Sequence, residues 1–449
     1  MQDPIAQSFP LFITVPIFGF MLIVILAHAA RRDRYVNYLL LSCWARFSIT
    51  NLHEYTLQPL IGGFSVIALS SFLIVAAGLW VLAPRALADR RLLPFYVLIW
   101  VSAVSAFVNQ GWMGAVNVSL KWLFLMVFAV AAYRAVRANG PASLFRPLAL
   151  AFVAPIALQW LSILYDVRAP NYEGVYSYIG GNLHQQSFAI MILTFLFVTC
   201  CSVWLTVPGA VFRLLIAAAG CGFANYRTAI LAGALPWGVF LILVTMRRVA
   251  PRQRIVVASV LGACVLAAAA VISTGMQERF ADIGMAVDKG AALMQPPDFF
   301  TFQEQRMFSG RPYLWSQYIE SYSQGTVINY LLGYGPESWS QRFELYAHNT
   351  FISTLYELGI LGVAALSALL LVSVGTAMRA RGSQRWILLS FHFTFFILNI
   401  GTMPLWTLEG EILYALLLSQ TWFQAELSRR PVSRVVGARL PLTLTASTQ

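Results

Sequence analysis

Apolar residues run in blocks along nearly the whole chain, and polar stretches separate them. The blocks are about 16–24 residues long, and about 20 apolar residues suffice to span a bilayer as a helix. They fall near residues 9–30, 35–52, 59–82, 92–108, 115–133, 147–165, 187–206, 209–224, 228–246, 255–275, 349–374, 386–403 and 410–425. The pattern predicts an all-α polytopic membrane protein of about 12–13 transmembrane helices. Two separating stretches are long, one over about 166–186 and one over about 276–347. Within the longer, Pro296-Pro297 breaks any helix. Ser309-Gly310-Arg311-Pro312 starts one, with proline at an early helical position, and Gly333-Tyr334-Gly335-Pro336 makes a turn. Loops of this length are often functional, and this one is expected to fold as short helices capping the outer face. The chain reads as one integral membrane domain over 1–449, with the 276–347 loop inside it and a basic cytoplasmic tail over 426–449. The first block has neither a basic leader nor a clear cleavage site, so it is expected to be retained.

Composition agrees with the pattern: 59% of residues are hydrophobic and 11% charged, with a mean hydropathy of +0.70. Charge adds an orientation. Of the 30 lysines and arginines, 21 fall in alternate loops and the C-terminal tail, 7 on the opposite side, and 2 (Arg46 and Lys121) inside spans. The arginine-rich side is cytoplasmic by the positive-inside rule, which puts the N-terminus and both long loops outside. Of the 18 acids, 15 share the outer side; only Asp33, Asp89 and Glu426 do not. The net charge of +12 is then mainly topology and gives no argument for nucleic acid. The five cysteines, Cys43, Cys200, Cys201, Cys221 and Cys264, all sit in predicted spans. They show neither metal-ligand spacing nor a disulfide framework, and they read as small core residues.

Candidate chemistry gathers at the outer boundary. His348 opens the span that starts near 349, where an ionisable ring on a rigid element points to function. It can take a proton from a hydroxyl near neutral pH, or it can cap the helix or bond a loop carbonyl. Arg227 opens the span near 228, and Arg311 lies in the large loop. Each needs an anionic partner or a wet cavity, and paired guanidinium donors suit phosphate; pairing with Asp or Glu, or anchoring at lipid headgroups, is the plainer reading. Glu357 lies nine residues after His348, on the opposite side of an ideal helix and about 13 Å along it, which makes it a structural polar group. Gly359 and Gly362 suit close helix packing. His184 with Asn182 can bind sugar or simply shape its loop. Arg46 pairs with Glu54 or snorkels. Outer-loop Tyr and Trp can stack on sugars, although interfacial aromatic belts are common. His28, His53 and His392 carry no role. Neither a metal site nor a nucleotide site has a supporting motif.

Four of these segments occur in a familiar order. Arg227-Thr228-Ala229 opens a span, and Ser309-Gly310-Arg311 is followed by Leu314-Trp315. The Gly333/Gly335 turn precedes His348-Asn349-Thr350, with Glu357, Gly359 and Gly362 beyond. Together they resemble the O-antigen ligase and O-antigen polymerase superfamily over roughly residues 180–375; the N-terminal part is similar only as a set of spans. The resemblance implies an inverting, metal-independent membrane glycosyltransferase of GT-C-like helical fold, without a cofactor, in the bacterial inner membrane. It implies that glycan is taken from undecaprenyl diphosphate at the periplasmic face and passed to a lipid-linked repeat, to lipid A–core or to protein. It implies that Arg227 and Arg311 bind the diphosphate and that His348 activates the acceptor hydroxyl or lies beside it. Asn349 adjoins that histidine and joins the substrate-binding set. His184, in a Gly-Asn-x-His stretch, resembles a looser family pattern, and with Asn182 it is the further substrate-binding candidate.

A polysaccharide polymerase is the preferred reading, with the ligase sharing its motifs. A lipid-glycan transporter or flippase is the alternative of another class. Transporters place charged or broken helices at the midplane, whereas here the suspect residues sit at one boundary.

Overall fold

The computed structural model describes residues 8–29, 33–61, 64–170, 176–202, 207–246, 249–257, 259–260, 263, 290 and 295–429. The expected span at 255–275 and Cys264 lie wholly or largely outside them, as do residues 276–289 of the large loop and the tail beyond Arg429. The other twelve apolar blocks all contain helix. In chain order these are α1 (Leu11–Ala29), α2 (Arg34–Asn51), α3 (His53–Thr56), α4 (Val66–Val81), α5 (Leu93–Asn109), α6 (Trp112–Asn139), α7 (Pro141–Leu148) and α8 (Val153–Leu164). There follow α9 (Gln185–Ser202), α10 (Val207–Ala224), α11 (Arg227–Met246), α12 (Arg311–Ser323), α13 (Val327–Leu332), α14 (Thr350–Ala377), α15 (Ser383–Gly401) and α16 (Leu408–Arg429). The block at 59–82 is helical only from Val66. Before it, Pro59–Ile61 pairs antiparallel with Phe64–Ser65, and a second short hairpin pairs Ala169–Pro170 with Tyr176–Ser177.

Six described helical segments are long and apolar enough to cross a membrane: Leu11–Ala29, Arg90–Asn109, Trp112–Asn139, Pro141–Leu164, Gln185–Ser202 and Thr350–Ala377. Three shorter ones are apolar, Val66–Val81, Gly209–Ala224 and Arg227–Leu243. This is fewer than the 12–13 expected. The expected span at 255–275 lies largely outside the described residues, three helices are shorter, and α2, α15 and α16 carry more polar residues along their length. Helix α16 is the clearest case. Residues 409–422 are buried throughout against α6, α9 and α14, and they include Glu409, Glu411 and Gln420. The architecture is thus an all-α polytopic membrane protein whose centre is partly polar.

That centre corrects the expectation for Arg46. It does not pair with Glu54, which instead accepts from the Ser8 amide. The Arg46 guanidinium Nε donates to Glu409 at 2.9 Å, and the two side chains are 9% and 3% exposed. Removing one partner of a buried pair strands the other, at about 3–5 kcal/mol. Arg46→Ala should therefore lower the melting temperature in detergent far more than the paired change Arg46→Met/Glu409→Gln does. Equal losses in the two variants would show that the pair is not what holds α2 to α16. The four described cysteines are free and buried.

Candidate functional site

Three helices begin close together on the face that carries residues 295–347. Arg227 is the first residue of α11 and Arg311 the first of α12, while His348-Asn349 leads directly into α14. A cation at a helix N-terminus opposes the helix dipole, and a nearby anion would offset that cost. Arg311 Nη1 donates to Thr228 Oγ1 at 3.4 Å, which joins the Arg-Thr-Ala segment to the Ser-Gly-Arg segment across 83 positions. Trp315, one turn into α12 on the face of Arg311, donates its indole N–H to the Ala347 carbonyl at 2.8 Å. Tyr318 donates to the Leu345 carbonyl at 2.9 Å; burial pushes its phenol well above the ordinary value, so it remains a donor. The end of α15 closes the group. The backbone at Gly401 lies against the Thr228 side chain, and Thr350 Oγ1 donates to the Thr402 carbonyl at 3.5 Å.

Arg311 is held with an uncommon backbone. Phe308, Ser309 and Gly310 have φ of 49°, 60° and 79°, three successive residues in the left-handed region, where strain persists only if the surroundings impose it. No side chain caps α12. Arg311 Nε is buried and has no hydrogen-bond partner among the described residues.

His348 is not the cap of α14. Asn349 is: its side-chain oxygen accepts from the amides of Phe351 at 2.9 Å and Ile352 at 3.1 Å, and the residue is 6% exposed. The asparagine's acceptor is thereby spent on the helix. His348 sits one residue earlier with φ 48°, a conformation histidine tolerates better than most residues. The Tyr346 ring lies 4.2 Å from it, centroid to centroid. Asn349→Ala should cost about 1 kcal/mol of helix-cap energy and loosen His348, visible as a small drop in melting temperature with a larger drop in any activity.

Helix α14 is broken, where a continuous packed helix was expected. At Gly359 φ is 66° and ψ −165°, a region open essentially to glycine alone. Gly333 has φ 70° and ψ −163°, and the two glycines cross. A β-carbon on Gly333 would lie 2.3 Å from the Glu357 carbonyl carbon, and one on Gly359 would lie 2.4 Å from that of Leu331. The amides of Tyr334 and Gly335 bond the carbonyls of Tyr356 and Glu357, both at 2.9 Å. The Gly-x-Gly turn and the Glu-x-Gly segment are therefore two halves of one joint. Glu357 is 1% exposed and accepts from Ser353 Oγ and the Glu337 amide, each at 2.7 Å. Gly359→Ala should destabilise by about 3 kcal/mol or more, from strain and backbone overlap together. Gly375→Ala in the same helix meets open space and should be near neutral in the same melting experiment.

The Asn182–His184 pair belongs to a separate group of contacts. Asn182 is 2% exposed. It donates to Asn51 Oδ1 at 3.3 Å and accepts from the His184 amide at 3.4 Å. His184 Nδ1 accepts from the Gln186 amide at 3.1 Å at the start of α9, which puts the ring proton on Nε2. The structure thus joins Arg227-Thr228, Arg311 and the His348 segment through direct contacts, while Asn182 and His184 are tied to α2 and α9. Among the described residues no group of His, Cys, Asp and Glu is arranged to hold a metal ion.

Thr228 and Thr350 stand in the motif segments without a role of their own, and the sequence does not point to Gly401, Thr402 or the contact of Trp315. Trp315 was legible, since it stands four positions after Arg311. The α15 end was not, because nothing local in Gly401-Thr402 marks it.

A family model described as O-antigen ligase matches residues 212–367. The match runs from within α10 to within α14 and includes the large loop. No curated protein matches the chain. Residues 212–367 contain Arg227, Arg311 and His348, and their match supports a likeness to the O-antigen ligase and polymerase superfamily.

Proposed function

We propose that this chain is a polysaccharide polymerase that moves undecaprenyl-diphosphate-linked glycan onto a lipid-linked repeat unit. The reaction takes place at the periplasmic face of the inner membrane, with the N-terminus outside and the C-terminus cytoplasmic. The observation that carries the reading is Arg311. It offers a buried guanidinium N–H without a hydrogen-bond partner among the described residues, at an uncapped helix N-terminus. It is bonded to the residue next to Arg227. Helix N-termini and paired guanidinium donors both favour phosphate.

In this reading His348 takes the proton of the acceptor hydroxyl as its oxygen attacks the anomeric carbon. The bond from that carbon to the diphosphate oxygen breaks on the opposite side, so the configuration inverts. The diphosphate leaves with the bond's electron pair, and Arg227 and Arg311 hold the charge that develops. This is charge stabilisation of the kind a metal ion supplies elsewhere, which suits a metal-independent reaction on a GT-C-like scaffold. The loop keeps water from the anomeric carbon. Asn349 sets the position of His348, and Asn182 orders the loop from which His184 approaches the glycan.

The matched family's description keeps the ligase as the second reading, with lipid A–core as acceptor and the same residues in the same roles. The transporter reading is weaker, because the suspect residues gather at one face. Reconstitution of the purified protein with lipid-linked repeat units, with and without lipid A–core, separates them. A ladder on the lipid carrier means polymerase, and transfer to core alone means ligase. Passage of lipid-linked glycan across the bilayer without any new glycosidic bond would sink both enzyme readings.

A further inference from the structure

The half-helix behind His348 is short. Thr350–Leu358 is cut from the rest of α14 at Gly359, and nine residues do not hold a helix on their own. One end is fixed by the Asn349 cap. The other end is fixed at Glu357, whose carboxylate receives the Glu337 amide and the Ser353 hydroxyl. The Ser353 amide in turn bonds the Asn349 carbonyl at 3.0 Å. Glu337 therefore governs this end, and its own backbone is left-handed, with φ 59°. Its carboxylate is what fastens it. Lys121 Nζ lies 3.2 Å from Glu337 Oε1, and Asn117 Nδ2 lies 2.5 Å from the same oxygen. Both donors come from α6, more than 200 positions away and outside every motif of the site.

We propose that Lys121, in α6, is a positioning residue for His348, acting through Glu337 and the Glu357 joint. A lysine on a membrane helix is costly and by default has a task. Here Lys121 and Glu337 are 25% and 27% exposed, which is dry enough for the pair to fix geometry. The neighbouring backbone is equally specific, because a β-carbon on Gly114 would lie 2.0 Å from the Pro336 carbonyl oxygen. The first turns of α6 thus seat the segment from Gly335 to Glu337. Release of the Glu337 carboxylate frees that segment, the Glu357 contact shifts, and the half-helix bearing His348 moves. A misplacement of about 1 Å at a reacting group can cost on the order of 100-fold in rate.

This inference rests on the reading of His348 as the group at the acceptor. The test uses the full-length protein reconstituted with lipid-linked repeat units. The variants are Lys121→Met, Glu337→Gln, the double variant, Lys121→Arg and His348→Ala. We expect Lys121→Met and Glu337→Gln each to lower kcat on the order of 10-fold, with KM for donor and acceptor nearly unchanged. The double variant should be no worse than either single one, because both break the same link. Lys121→Arg should keep most of the turnover. Glu337→Gln lies in a partly exposed position, so its folding is not at stake even if Lys121→Met inserts poorly. Full turnover in Glu337→Gln, effects that multiply, or a raised donor KM in place of a lowered kcat would each overturn the proposal. Transfer by His348→Ala would instead overturn the reading beneath it. An inactive His348→Ala beside a fully active Lys121→Met would remove only the role given to Lys121.

Discussion

Arg311→Ala is expected to reduce glycan transfer by about 100- to 1,000-fold, the scale of losing one preorganised donor to a developing charge. The variant should still insert and run as a folded protein in detergent, because Arg311 forms no ion pair among the described residues and bonds only the Thr228 hydroxyl, at a long 3.4 Å. Among the described residues, most of its donor capacity is therefore unspent. Arg311→Lys should recover only a small part of the loss. An ammonium keeps the charge but cannot present two parallel donors, and the Nε that is buried here has no counterpart in lysine. The measurement is turnover with lipid-linked repeat units, beside a melting curve. Full turnover in Arg311→Ala would remove the diphosphate role, and a collapsed melting curve would turn Arg311 into a structural residue.

His348→Ala is expected to lower kcat by about 100- to 10,000-fold, the usual contribution of a positioned general base, while donor binding is retained. The left-handed backbone complicates the choice of variant, because alanine at φ 48° brings strain of its own. Asparagine tolerates that region, so His348→Asn removes the ring while sparing the backbone. Both variants should be inactive if the ring takes the proton. Activity in His348→Asn with loss in His348→Ala would mean that the backbone shape, not the imidazole, is what the reaction needs. Helix α14 itself should survive either change, since the cap belongs to Asn349.

Much of this site could be read from the chain because its signals are local. Pro312 marks the start of α12. The Gly-x-Gly turn was legible from composition, and Glu357 was legible as a structural group because nine residues of helix carry it away from His348. Other parts were misread where the deciding partner is remote. Gly359 and Gly362 fit a helix-packing pattern, yet Gly359 breaks the helix because Leu331–Leu332 crosses it. The nearest acid to Arg46 in sequence is Glu54, and the sequence left pairing there or snorkelling open, but its partner is Glu409, 363 positions away. Nothing local marks Lys121, whose partner Glu337 lies 216 positions away.

The sequence by itself determined the class of the protein, the helical segments, the long loop and the residue types that can grip phosphate and take a proton. Those follow from apolar run length, proline and glycine positions, and side-chain chemistry, all of which act over a few residues. Only the tertiary structure decided that the Arg227 and Arg311 segments meet at Thr228, that Asn349 and not His348 caps α14, and that the two glycine motifs form one joint. These depend on which distant backbones approach within van der Waals contact, and such contacts are set by packing of the whole bundle rather than by any local preference.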